Sequence, residues 1–341
     1  MKNRTSIILT FILSIFVLFA VPVAVNAASD GVKGYFKALP QIAENPANPV
    51  TKEKVELGKL LYLDPRLSKS GFISCNSCHN LSTGGVDNLP TSIGHGWNIG
   101  PRNAPTVFNA AILETQFWDG RAKDVEEQAK GPILNPGEMA ATEALVIKRL
   151  RSIPEYREAF KRAFPGQKKP LSYDNVANAI AAFERTLLTP SRFDEYLLGD
   201  EDALTSREKR GLNTFISKGC VGCHNGVGIG GASFQRFDYG TDQGRFEVTK
   251  NEADKKVFRV PTLRNVELTY PYFHDGSVWN LKEAVRIMGD KQLGLRLKKK
   301  EVADITAFLK TLSGQMREIA IPQLPPSTRR TPRPDVSLVG K

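Results

Sequence analysis

The chain has 341 residues, 41% hydrophobic and 24% charged, an ordinary globular composition that excludes a disordered or fibrous protein and exceeds what a single core usually holds. Lys and Arg outnumber Asp and Glu by 47 to 36, a net charge of +11. No compact basic block with interleaved aromatics accompanies that charge, so nucleic acid is not an expected partner, and attraction of an acidic protein is its better use.

The start, MKNRTSIILTFILSIFVLFAVPVAVNAASD, sets Lys2 and Arg4 before an apolar run from Ile7 to Ala20 and closes on Val25, Asn26 and Ala27, the layout of a secretory signal over residues 1–27. Cleavage is expected after Ala27 or Ala28, which lowers the net charge from +11 to +9. The alternative is an uncleaved anchor, since Ser6 to Val25 is long enough to span a bilayer, but Pro22 and the small residues suit a processing site better. No later segment is apolar enough to span a membrane, so the expectation is export to a bacterial periplasm with no membrane span after cleavage.

Next, VTKEKVELGKLLYLDPRLSKSGFISCNSCHN carries an amphipathic helix into a C-x-x-C pair, Cys75 and Cys78, followed at once by His79. LTSREKRGLNTFISKGCVGCHNG repeats the plan with Cys220, Cys223 and His224; Thr205 and Glu208 form a capping box, and Leu212, Phe215 and Ile216 make the apolar stripe. The chain's 4 cysteines all lie in these motifs. A disulfide across C-x-x-C closes too small a loop to stabilise much. Zinc would need thiolates 145 positions apart and gives no reason for the following histidines. Haem c explains every part: two thiols attach to the vinyl groups, and the adjacent histidine reaches the iron. The expected fold is mainly α, two cytochrome c-like helical domains each with one covalent haem c, over residues 28–198 and 199–322.

The second axial ligands are open from spacing alone. His95, in TSIGHGWNIG, lies 16 residues beyond His79 between glycines that let a segment swing, or is a solvated loop histidine. His274, in TYPYFHDGS, is a ligand or a propionate or backbone partner. In NLKEAVRIMGD, Asn280 and Glu283 suit a helix start, and Leu281, Ala284, Val285 and Met288 share a face. Met288 is core filling, or the ligand of a high-potential haem.

These motifs, together with GHGWNIGPRNAPTVFNA, QFWDGRAKDVEEQAKGPILNPGEM, RVPTLRNVELTYPYFHDGS and AVRIMGDKQLG, resemble the bacterial dihaem cytochrome c peroxidases from about residue 35 to about 322. The resemblance implies an enzyme that reduces hydrogen peroxide to water with electrons from a small periplasmic cytochrome c or cupredoxin, and a homodimer. It implies His79 as proximal and His95 as removable distal ligand of the peroxidatic haem, and Met288 as distal ligand of the electron-accepting haem. Trp118 matches the tryptophan between the haems, Glu138 and Gln128 the distal-pocket pair. Calcium is implied at Asn103, Thr269 and Pro271, bound by one side-chain amide and two backbone carbonyls. Relatives that modify a tryptophan of another protein carry tyrosine where this chain has Met288, so that activity is not expected. The tail, 323–341, lies beyond the resemblance; its Pro/Arg-rich end is expected to be disordered or an extended arm. A dihaem electron carrier without peroxidase activity is the rival reading.

Overall fold

The computed structural model describes residues 31–315 and 318–337; the expected signal at 1–27 and Met316 lie outside the described residues. No helix among the described residues is long and apolar enough to cross a membrane.

Two hydrophobic cores organise the chain. The first is built by helices α1 (Lys52–Leu63), α2 (Val125–Leu134), α3 (Glu143–Arg151), α4 (Pro154–Ala163) and α5 (Tyr173–Glu184). The second takes α6 (Arg192–Leu198), α7 (Ser206–Ser217), α8 (Leu281–Leu293) and α9 (Lys299–Lys310). A short antiparallel pair, β1 (Phe234–Arg236) on β2 (Val257–Arg259), sets Gln235 opposite Phe258. Helix starts follow from their caps. Thr205 accepts from Glu208 N while the Glu208 carboxylate accepts from Thr205 N, and Asn280 Oδ1 accepts from Lys282 N at 2.9 Å.

The same helix crossing occurs in both cores. Gly58 of α1 lies so close to α5 that a Cβ would fall 1.9 Å from Ala179 O, and Gly211 of α7 meets Asp304 O of α9 at the same 1.9 Å. One turn on in each pair, aromatic rings meet: Tyr62 with Phe183 at 5.4 Å, and Phe215 with Phe308 at 5.3 Å. The expected duplication is thus present as packing.

Helix α6, just before the boundary expected after residue 198, packs into the second core. Phe193, Tyr196 and Leu197 of α6 are buried in the second core, and so are Val32 and Phe36 from the start of the described chain. The reason is aromatic packing: Phe193 stands edge-on between Phe36 and Phe308, at 5.3 and 5.2 Å. Of the two states expected for the tail, residues 325–337 take the extended one. They lie without helix or strand across the first domain, where Arg149 donates to the carbonyls of Pro332 and Arg333.

Candidate functional site

Each C-x-x-C-H motif is a short helical turn, so its two thiols share one side of the chain. The first, Cys75–Cys78, is capped by Ser77 Oγ on Ser74 N, and His79 N closes back on Cys75 O at 2.9 Å. His79 Nδ1 donates to Pro105 O at 2.8 Å, which leaves Nε2 with a free lone pair. The Tyr62 hydroxyl donates to His79 O at 2.6 Å, pinning the residue to α1. In the second motif His224 N bonds Cys220 O at 3.0 Å, and the ring is 8% exposed. Burial lowers the pKa of His79 and takes that of His224 down to about 4, so both rings are neutral at physiological pH.

Burial pushes the thiols the other way. Cys78 and Cys220 both rise to about 11, and Cys75 and Cys223 also rise. None of the four is in a disulfide. Among the described residues no three His, Cys, Asp or Glu side chains converge as a metal cluster.

A single cavity of about 520 Å³ runs from one motif to the other. Near Cys75 and Cys78 stand Glu138 and, around it, Asn135 and Arg121, together with the apolar Ile133 and Met139 of the first core; near His224 stands Phe215, and the second core adds Leu281, Val285 and Leu309, with Gln128 of α2 and Met288 also on the wall. The same wall carries Trp118 and His274, ring centroids 6.2 Å apart. His274 is 1% exposed, stacked on Phe258 at 4.2 Å, and neither ring nitrogen has a hydrogen-bond partner; Arg259 Nη1 and His224 Nδ1 are likewise buried without one. Unpaired buried polar atoms are costly, so this wall calls for a group the protein does not supply. Arg259, its pKa pulled down to about 10 by burial, calls for an anion. A flat apolar group with carboxylate edges and two thiol-reactive points, haem c, fits the wall.

The remaining residues fall as follows. Glu138 is half-buried with Oε1 accepting from Asn135 Nδ2 at 2.7 Å; burial raises its pKa, with Arg121 and Asn135 pulling the other way. Trp118 Nε1 donates to Asn103 O at 2.9 Å. Asn103, Thr269 and Pro271 all reach the cavity wall, and Asn103 Nδ2 donates to Leu89 O at 3.0 Å, which leaves the amide oxygen as the free end. His95 is 1% exposed, with its backbone N on Glu138 O at 2.6 Å and its Nε2 on Ser337 O at 3.0 Å. The glycines beside it do not loosen the loop. A Cβ on Gly94 would lie 1.9 Å from Gly137 O, and Gly96 sits at φ 67°, so both fix one close turn against the Glu138 segment. Sequence reasoning missed Arg259 and Arg149, whose roles rest on partners far away in the chain and leave no local signal.

Comparison with known proteins agrees with this geometry. The di-haem cytochrome c peroxidase family model matches residues 52–202 and the cytochrome c model residues 208–313. The cytochrome c551 peroxidase of Pseudomonas aeruginosa is 52% identical over 336 residues, covering 94% of this chain and 96% of that protein. The chain belongs to the di-haem cytochrome c peroxidase family. It is therefore a peroxidase with two haem c groups, which excludes the zinc reading. The Nitrosomonas europaea cytochrome c551 peroxidase is 51% identical with 98% of both chains covered. Among solved structures, a MauG-like protein associated with microbial copper homeostasis superposes at TM-score 0.75 and 31% identity, over 82% of this chain and 94% of that one.

Proposed function

We propose that this peroxidase reduces hydrogen peroxide in the periplasm, consuming two protons and two electrons to give two waters, with electrons delivered singly by a small cytochrome c or a cupredoxin. Cys75 and Cys78 would attach one haem, with His79 as the histidine that holds its iron; Cys220 and Cys223 would attach the other, with His224 and Met288 to hold it. When bound, the haems supply the redox-active iron that accepts and passes on the electrons. The observation that carries this reading is one cavity lined by both C-x-x-C-H motifs and, on the same wall, by the proton-bearing Glu138 and the thioether of Met288.

Beside the first motif, Glu138 takes a proton from the near oxygen of peroxide and returns it to the departing one, while the Gln128 amide orients the molecule. Glu138 suits this because it is desolvated yet tethered through Asn135. His95 is the residue that yields the site to peroxide. Trp118, fixed by Asn103, lies on the electron path, and Asn103, Thr269 and Pro271 hold calcium between the domains.

The test is Glu138→Gln. It keeps shape and hydrogen bonding but cannot move the proton, so kcat for peroxide should fall by about 10²–10⁴-fold with both haem spectra intact. Turnover at the wild-type rate would reject the assignment and favour an electron carrier.

A further inference from the structure

The C-terminal arm meets the first domain through a dense set of polar contacts. Arg149 of α3, 1% exposed, donates to the carbonyls of Arg66, Ser68 and Lys69 ahead of the first motif and to those of Pro332 and Arg333 on the arm. Thr331 Oγ1 meets Ser152 Oγ at 2.7 Å, and Asp335 N donates to Lys69 O at 3.0 Å. Lys69 Nζ reaches Asp335 at 3.6 Å and the Oγ and O of Ser337 at 3.1 and 3.3 Å. Lys69 N in turn donates to Met139 O at 2.8 Å, so the arm, the Glu138 segment and the His95 loop form one network.

At Ser337, the last described residue, the arm meets His95. Ser337 O is a carbonyl and only accepts, so at 3.0 Å His95 Nε2 must carry the hydrogen. A ring nitrogen that carries hydrogen has no lone pair for a metal. Nδ1 is buried without a partner. The contact with Ser337 and ligation through Nε2 are therefore mutually exclusive at one atom.

We infer that the C-terminal arm is a positioning element for His95: docked on Arg149 and Lys69, it holds His95 Nε2 on the Ser337 carbonyl and competes with the iron of the first haem for that nitrogen. This rests on the reading of His95 as that haem's removable ligand. Closing the site requires the arm's last residues to let go, and keeping them docked favours the open site.

The experiment uses the haem-loaded protein, with visible and electron-paramagnetic spectra of the first haem read at fixed degrees of reduction. One variant ends at Pro334, which removes Asp335 and Ser337 but keeps the Arg149 contacts. A second, Lys69→Met in the full chain, keeps the carbonyl and removes the ammonium that holds it. The low-spin, histidine-ligated fraction at half reduction should rise about threefold to tenfold on truncation, the worth of about one hydrogen bond, and rise less in Lys69→Met. In a His95→Gly background truncation should change nothing. A fraction that is the same in all three chains, or that falls on truncation, overturns the inference. If His95→Gly leaves the full-length spectra unchanged at every stage, it is the ligand reading that fails; if His95→Gly alters them while truncation does not, only the role of the arm fails.

Discussion

His79 and His224 occupy equivalent places in the duplicated motif, but their outer nitrogens find different surroundings. His79 Nδ1 donates to Pro105 O at 2.8 Å. The carbonyls of Ile229 and Pro261 lie near His224, yet Nδ1 there makes no hydrogen bond of normal geometry. A histidine that donates its outer N–H is a more basic ligand, so with His79 as the proposed ligand this bond would favour the oxidised metal and lower the potential of the first haem. On the proposed ligation Met288 would act in the opposite direction at the second, because a thioether favours the reduced state. Met288→His should thus lower the second potential by on the order of 0.1 V, within the ~0.8 V that axial ligands span. A spectroelectrochemical titration checks it, and an unchanged midpoint would show that Met288 is not the ligand. The cysteines and histidines of this site are legible in the sequence because a five-residue pattern brings them together locally. Glu138, Gln128 and Trp118 are single residues in loops and one helix, recognisable only by resemblance. Arg149 and Arg259 are invisible, since what makes them matter is burial against backbone far along the chain.

At the level of elements, the fold rests on two helix crossings at which there is no room for a side chain. Gly58→Ala would gain up to about 1 kcal/mol of helix propensity. It also drives a methyl into Ala179 O and Phe183 Cβ, both within 2.9 Å of where Cβ must go, and overpacking of this kind costs about 1–3 kcal/mol or more. The steric term wins, and thermal unfolding should show net destabilisation. A second prediction concerns Asp194, which caps α6 and receives two hydrogen bonds from the fully buried Arg264, at 2.9 and 3.0 Å. Burial alone would raise its pKa, but the charge and hydrogen bonds of Arg264 outweigh that and hold it below the usual range. The stabilisation is therefore fully present above the unfolded carboxyl pKa of about 3.9 and is lost as pH falls through the lower folded value. Asp194→Asn leaves Arg264 buried and unpaired, at a cost of about 3–5 kcal/mol near neutrality. Denaturant unfolding from pH 7 to 3 should show the gap to wild type closing in acid. Helix α7 and the start of α8 are legible from their capping residues, Thr205, Glu208 and Asn280, because a cap is a local event. The packing of α6 is not, because nothing local in its sequence announces that Phe36 and Phe308 stand on either side of Phe193.

Across the whole molecule, the two ends of the chain are exchanged. Residues 32–36 are buried in the second core, with Phe36 paired to Gly226 beside the second motif, while the C-terminal arm lies on the first domain. The stretch between Phe36 and α1 then returns to the first domain, where Arg185 Nη1 donates to Ala43 O at 3.0 Å and Glu126 accepts from both Asn48 and Arg185. Further ties cross the middle. Thr189 Oγ1 accepts from Asn109 and from Asn265 at 2.8 and 2.9 Å, all three buried, and Arg102 joins Asp119 to Asp242. With buried polar links that lose their partners if either half opens, and one cavity walled by both, the two domains are expected to unfold together. This makes a definite prediction for unfolding. Phe36→Ala removes a ring that touches only the second core, at a cost of about 3–5 kcal/mol. If the halves are one cooperative unit, the Tm read at the first haem should fall as far as the Tm read at the second, and calorimetry should give a single transition. A shift confined to the second haem, with the first melting as in wild type, would show that the exchanged ends hold the domains side by side without coupling their stability.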